Sequence, residues 1–147
     1  MTSESIARVQ ASYDQVSQDA RALSSRFYQE LFQAAPALRP LFPADLTSLQ
    51  GHFEAALALV IRNLREMETL QQPLRDLGAQ HIGWGARPDD YRIARSALVA
   101  AVRSRATEWD ATLEADWHAA ITAIIVPMLQ GAAVETALAA ERIAEEL

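Results

Sequence analysis

Apolar residues in this chain return at steps of three and four along almost its whole length, and no stretch alternates. Steps of three and four put side chains on one face of an α-helix, whereas a half-buried strand needs a period of two. The pattern therefore predicts an all-α fold. The breaks fall where helix breakers cluster. Pro36, Pro40 and Pro43 bracket one short segment, because each disfavours helix at the residue before it. Pro73 suits the first turn of a helix, where a missing N–H costs nothing. Gly83 and Gly85, followed by Arg87-Pro88-Asp89-Asp90, mark a helix end, a loop and a new start. Seven helical segments are expected, over residues 3–20, 21–34, 37–42, 46–66, 70–82, 89–106 and 110–139. One domain spanning 1–147 follows from the length, with a core over about 20–131. The Ala- and Glu-rich tail over 132–147 either extends the last helix or frays.

Composition removes several function classes. The net charge of -6 argues against nucleic acid, whose phosphates are held by clustered Lys and Arg. Arg62 with Arg65, and Arg103 with Arg105, have acidic neighbours and form no basic stripe. Cysteine is absent, which excludes disulfides, thiolate chemistry, iron–sulfur clusters and Cys-ligated zinc. The start MTSESIARVQ is no signal peptide. Apolar runs around Ala55–Ile61 and Ala119–Met128 fall short of the roughly 18 residues of a membrane span. A cytoplasmic protein without membrane contact is the expectation.

Two segments carry the chemistry. In the fourth, Leu46, Leu49, Phe53, Leu57, Val60 and Leu64 form one apolar stripe. In the fifth the stripe reads Leu70, Leu74, Leu77, His81, Trp84, so an imidazole stands where a hydrophobe belongs. A buried imidazole needs a partner, since an unpaired polar group costs about 1–3 kcal/mol. A backbone carbonyl is one such partner and a metal is the strongest. No second histidine lies four residues away and no paired carboxylates flank His81, which excludes a local zinc or di-iron motif. Haem brings its own four nitrogens and asks the protein for one or two ligands more. Phe27, Tyr28, Phe32, Phe42 and Phe53 offer walls for a flat apolar group, although ordinary core packing explains them equally well when taken alone.

Phe27-Tyr28-x-x-Leu31-Phe32-x-x-x-Pro36-x-x-Arg39-Pro40-Leu41-Phe42, then Leu74-x-x-Leu77-Gly78-x-x-His81, with Asp90-Tyr91 and Trp117, resembles the bacterial single-domain haemoglobins and the haem domain of flavohaemoglobins. The resemblance runs from about Ser24 to Pro127. It implies a globin fold around haem b (iron protoporphyrin IX), with His81 as proximal iron ligand and Leu77 packed beneath the haem. It also implies that Phe42 wedges against the porphyrin and that the Tyr28 hydroxyl donates to a gas on the distal face. Leu49 falls at the distal gate and Phe53 one turn further along. Gln50 would take the gate after a one-residue shift, but it is rotated about 100° from the stripe.

Three departures from the pattern matter. The gate holds Leu49 where glutamine or histidine is frequent. Tyr91 matches a tyrosine that in flavohaemoglobins works with a glutamate to polarise the proximal histidine, but that glutamate position holds Ala132. Glu135 lies nearly one turn beyond. The chain also ends soon after the resembling segment, so turnover would need an external reductase. His52 borders the haem-facing arc as a propionate partner, a solvated side chain or a sixth ligand. Arg87 is either a second propionate partner or solvated. His118 and Met128 read as surface or packing residues, and Trp84 and Trp109 as core or helix-end anchors.

Three functions stay open at this point. The first is reversible binding of a diatomic gas, namely oxygen, nitric oxide or carbon monoxide. The second is nitric oxide dioxygenation or a peroxidase-like reaction with an external reductase. The third is a haem-free sensor or structural globin. Apolar positions on the last two helices suit a homodimer face as well as they suit a core.

Overall fold

Side-chain caps decide where several helices begin. The Thr2 hydroxyl accepts from the Ser5 N–H at 3.0 Å, the Asp19 carboxylate from Ala22 at 2.9 Å, and Asp110 from Leu113 at 2.8 Å. Each cap satisfies an amide that has no partner inside its helix and is worth about 1 kcal/mol. The computed structural model describes residues 1–146. Among these it contains helices α1 (Ser3–Val16), α2 (Ala20–Ala34), α3 (Thr47–Arg62), α4 (Gln71–Gly83), α5 (Pro88–Arg105) and α6 (Ala111–Glu146).

The expected all-α architecture holds, with differences at the element ends. The segment expected over 3–20 stops at Val16 and turns through a 3-10 stretch, Ser17–Asp19, because Asp19 caps the next helix. The short segment near 37–42 is a 3-10 turn, Pro36–Leu41. Helix α3 ends at Arg62, and the link Leu64–Leu70 is 3-10 with Glu66 outside helical geometry. Helix α6 runs past 139 to Glu146 and contains Pro127; Leu147 of the expected tail lies outside the described residues. By length and composition α6 could cross a membrane, which the short apolar runs did not foretell. Its Trp117, Ala120, Ile121 and Met128 are nevertheless buried in the protein.

The apolar interior falls into two clusters. The larger gathers α1, α2, α3, α5 and the first half of α6 around Val9, Phe27, Tyr28, Ile61 and Trp117. The smaller joins Val60, Leu74, Tyr91 and Met128. Helix α3 packs mainly on α2 and α1, and α4 on α6. Although α3 and α4 lean chiefly on different helices, their side chains Val60 and Leu74 share the smaller cluster.

The crossing of α4 and α6 is unusually tight. A Cβ added to Gly78 would collide with the Met128 backbone carbonyl, and one added to Gly131 with that of Arg75. Each helix thus seats its glycine on the other's main chain. No other residue fits there without moving a helix.

Candidate functional site

His81 lies on the last turn of α4, part-buried, and is held at two points. Its Nδ1 stands 2.7 Å from the Leu77 carbonyl oxygen. A carbonyl only accepts, so Nδ1 carries the proton and Nε2 keeps a free lone pair. Burial holds the imidazole below the usual histidine range, opposed by the Leu77 hydrogen bond. The side chain is therefore neutral at pH 7, the form that ligates metals.

The second hold is the end of the helix itself. The Ala86 N–H donates to the His81 carbonyl at 3.0 Å, and Gly85 N–H to Ile82 at 3.0 Å. These two bonds make a Schellman motif, with Gly85 in the left-handed region at φ 94. The turn at Gly85 thereby fixes where α4 stops, at Gly83, two residues after its histidine.

Tyr28 belongs to the other wall. It is buried among aromatic rings, edge-on to Phe27 at 5.0 Å, Phe42 at 5.8 Å and Phe53 at 5.8 Å, and stacked on Phe32 at 5.9 Å. Phe27 and Phe53 stack nearly parallel at 4.6 Å. Such contacts add about 0.5–1.5 kcal/mol per pair beyond area burial. Burial, then Glu54, pushes the Tyr28 hydroxyl up to about 12, so it stays protonated and able to donate.

Leu49 and Phe53 are part-buried on the α3 face that packs against the larger cluster. Gln50 points elsewhere, its amide donating to Ser25 Oγ at 2.8 Å and Ser24 Oγ at 3.2 Å. It is tied to α2, leaving Leu49 as the apolar residue on the stripe. His52 is exposed, as is Arg87, whose backbone N–H donates to Asp90 at 2.8 Å. Leu77 is part-buried against the smaller cluster.

Tyr91 sits 6.1 Å from the His81 ring, centroid to centroid. Its hydroxyl is buried without a hydrogen-bond partner. Ala132 is near it, since both line one cavity of about 400 Å³ with Ile82, Ala86, Pro88 and Leu129. Glu135 is instead paired with Arg142 at 3.1 Å. Trp84 ends α4 and is 57% exposed, so it is a helix-end residue and contributes nothing to the core. It lies 4.9 Å from the His81 ring. The glycine crossing three residues before His81 escaped the sequence reading, because proximity of two backbones leaves no pattern in one helix.

The residues supply the parts that a flat apolar group carrying a metal needs. Phe42, Leu49 and Phe53 pack on the larger cluster, Leu70 and Leu77 on the smaller, and His81 adds a neutral imidazole with a free Nε2. Among the described residues no three His, Asp or Glu side chains converge as a metal-binding group, so a metal at His81 must arrive with most of its own ligands.

Residues 25–128 match the Globin family. The flavohemoprotein of Rhizobium meliloti (strain 1021) is 29% identical over 99 residues, covering 65% of this chain; the chain spans only 24% of that relative's length. A protein of Oryza sativa subsp. indica named anaerobic nitrite reductase NSHB5 is 24% identical over 116 residues, 74% of this chain and 80% of the relative. Among solved structures, the engineered carbene transferase RmaNOD from Rhodothermus marinus superposes with a TM-score of 0.80 at 22% identity, covering 95% of this chain and 99% of that one. A Pseudomonas aeruginosa PAO1 protein described as highly homologous in structure to human hemoglobin gives 0.77 at 24% identity, over 86% and 97%.

Proposed function

The chain belongs to the globin family, and from that membership we propose that it holds haem on His81 and binds a diatomic gas beneath Tyr28. Haem supplies, when bound, a ferrous iron that takes up oxygen, nitric oxide or carbon monoxide. The chain has no cysteine, hence no thioether attachment, so the haem would be held non-covalently, and the family resemblance favours haem b. The observation that carries the reading is the His81 tautomer. Leu77 takes the Nδ1 proton, and Nε2 is left as a donor to iron.

The remaining residues divide the work. Phe42 and Leu77 would pack against the macrocycle, and Leu49 with Phe53 would limit water on the gas side. Tyr28 keeps its proton and donates to a ligand that gathers negative charge. A hydrogen bond to a charged acceptor is worth roughly 1.5–3 kcal/mol, about one to two decades in affinity. His52 and Arg87, both exposed, stand at the rim for the propionates.

A second reading, a haem redox enzyme fed by a reductase, draws support from the flavohemoprotein and nitrite reductase similarities. Tyr91 weighs against a strong electron push from the proximal side, because its hydroxyl meets no carboxylate. Gas binding is therefore the preferred function.

Visible spectra of the purified protein, loaded with haem and recorded oxidised, reduced and with carbon monoxide, test this reading. A Soret band that moves with each state and a broad five-coordinate ferrous spectrum are expected. Sharply split ferrous bands would instead make His52 or another side chain a sixth ligand. No Soret band after a complete haem titration overturns haem binding and leaves a haem-free globin.

A further inference from the structure

We infer that Gly78 and Gly131 are positioning residues for His81: their reciprocal seating on opposing backbones sets where the imidazole stands. The inference rests on the haem reading above. Gly78 lies one turn before His81 on α4, and Gly131 follows Met128 by the same three residues on α6. Gly78 abuts the Met128 carbonyl while Gly131 abuts that of Arg75. Two such contacts, about one turn apart on each helix, define both the separation of the helices and their relative register.

Helix α4 packs chiefly on α6, with Val60 of α3 reaching Leu74 in the smaller cluster. Beyond the crossing, the imidazole has little freedom of its own. Its Nδ1 is bonded to Leu77 within the same helix, and its carbonyl is bonded to Ala86 at the helix end. The ring therefore moves with α4, and α4 moves with the two glycines. Gly83 supplies an internal contrast. It lies on the same helix, yet a Cβ there meets nothing within 4 Å.

Gly78→Ala, Gly131→Ala and Gly83→Ala separate the roles. The haem-loaded ferrous variants are examined by resonance Raman for the iron–imidazole stretch, and for the rate of haem transfer to an acceptor apoglobin. Gly131→Ala and Gly78→Ala should shift the stretch and speed haem loss about 10-fold, the lower end of the effect of removing a partner that orients a metal-bound histidine. Gly83→Ala should match the parent in both.

Positioning is distinguished from a general loosening by repeating Gly131→Ala in a His81→Gly background with free imidazole on the iron. The stretch should then be indifferent to residue 131, since the ligand no longer rides on α4. An unchanged stretch in both single alanine variants overturns the inference, as does an equal shift in the imidazole-rescued pair. Should neither alanine variant fold, Leu129→Ala loosens the same crossing without adding a Cβ, and a shifted or unshifted band decides in the same way. Failure of the parent chain itself to take up haem would sink the haem reading, an outcome separate from all of these.

Discussion

The wall that carries Tyr28 and the wall that carries His81 are built by different means. Around Tyr28 the structure is made of side chains. Five aromatic rings contact one another, and the nearby polar groups are paired, Gln50 with Ser24 and Ser25 and Arg21 with Glu54 at 3.0 Å. Around His81 the structure is made of backbone. Two glycines seat one helix on another, a Schellman turn stops the helix, and a main-chain carbonyl chooses the tautomer. The same wall tolerates a cavity and an unpartnered tyrosine hydroxyl. The comparison teaches that side-chain exchange should retune the Tyr28 side by degrees, while the His81 side answers chiefly to changes that move main chain.

The largest expected effect is the exception to that statement, because the His81 side chain is itself the group that would hold the iron. His81→Ala should lose haem faster by more than the ~10–100-fold that removal of a mere supporting partner costs, read as transfer to an acceptor apoglobin. Retention of the parent's spectrum and transfer rate would mean that His81 is not the ligand.

Tyr28→Phe comes next, on the other wall. Gas release, followed by stopped-flow with oxygen, should accelerate by roughly 10–100-fold, the equivalent of about 1.5–3 kcal/mol. Equal release rates would remove Tyr28 from the site. The same variant has a signature at high pH. Burial raises the folded-state hydroxyl to about 12 from the ordinary tyrosine value of 10.0, so the folded chain disfavours the phenolate. Its contribution is complete below about pH 10 and is lost as pH rises toward 12. Tyrosinate absorbance and denaturant titrations across that window should differ between parent and Tyr28→Phe, and should agree at neutral pH in their pH slope.

Tyr91→Phe should act in the opposite sense, because it removes a buried hydroxyl with no partner. Such a group costs about 1–3 kcal/mol, and we expect a stabilisation of about 1 kcal/mol in urea unfolding. A clear destabilisation would show that the hydroxyl has a partner after all, and the contrast between the two walls would weaken. The smallest effect belongs to Gln50→Ala. Its amide is turned toward α2, so oxygen release should stay within about twofold of the parent, a difference under 0.5 kcal/mol. A large change would return Gln50 to the gate in place of Leu49.

Part of each wall was visible in the sequence. The stripe Leu70, Leu74, Leu77, His81 is a matter of helical period alone, and the structure places His81 on α4 with Leu77 beneath it. The aromatic cluster was equally legible, because its members lie close along the chain from Phe27 to Phe53. The choice of Leu49 over Gln50 rested on angle alone, and the sequence did not foretell that Gln50 is tied to the serines of α2. What escaped was the geometry that depends on distant backbones. Gly78 and Gly131 read in sequence as small residues within helices, and only their juxtaposition makes them indispensable to the crossing. The splits at Asp19 and Glu66 escaped for a related reason, since apolar periodicity continues through a cap or a 3-10 link without a break. Trp84 continued the stripe on paper, but the helix ends beneath it and leaves the indole outside.

The different supports of α3 and α4 have a consequence for how such a protein changes over time. Each of these helices leans chiefly on a separate neighbour, and Val60 and Leu74 meet in the smaller cluster. Leu49 and Phe53 pack against the larger cluster instead. Substitutions at those two positions therefore fall on a different part of the interior from Leu74 and Met128, and the two parts can change in separate steps.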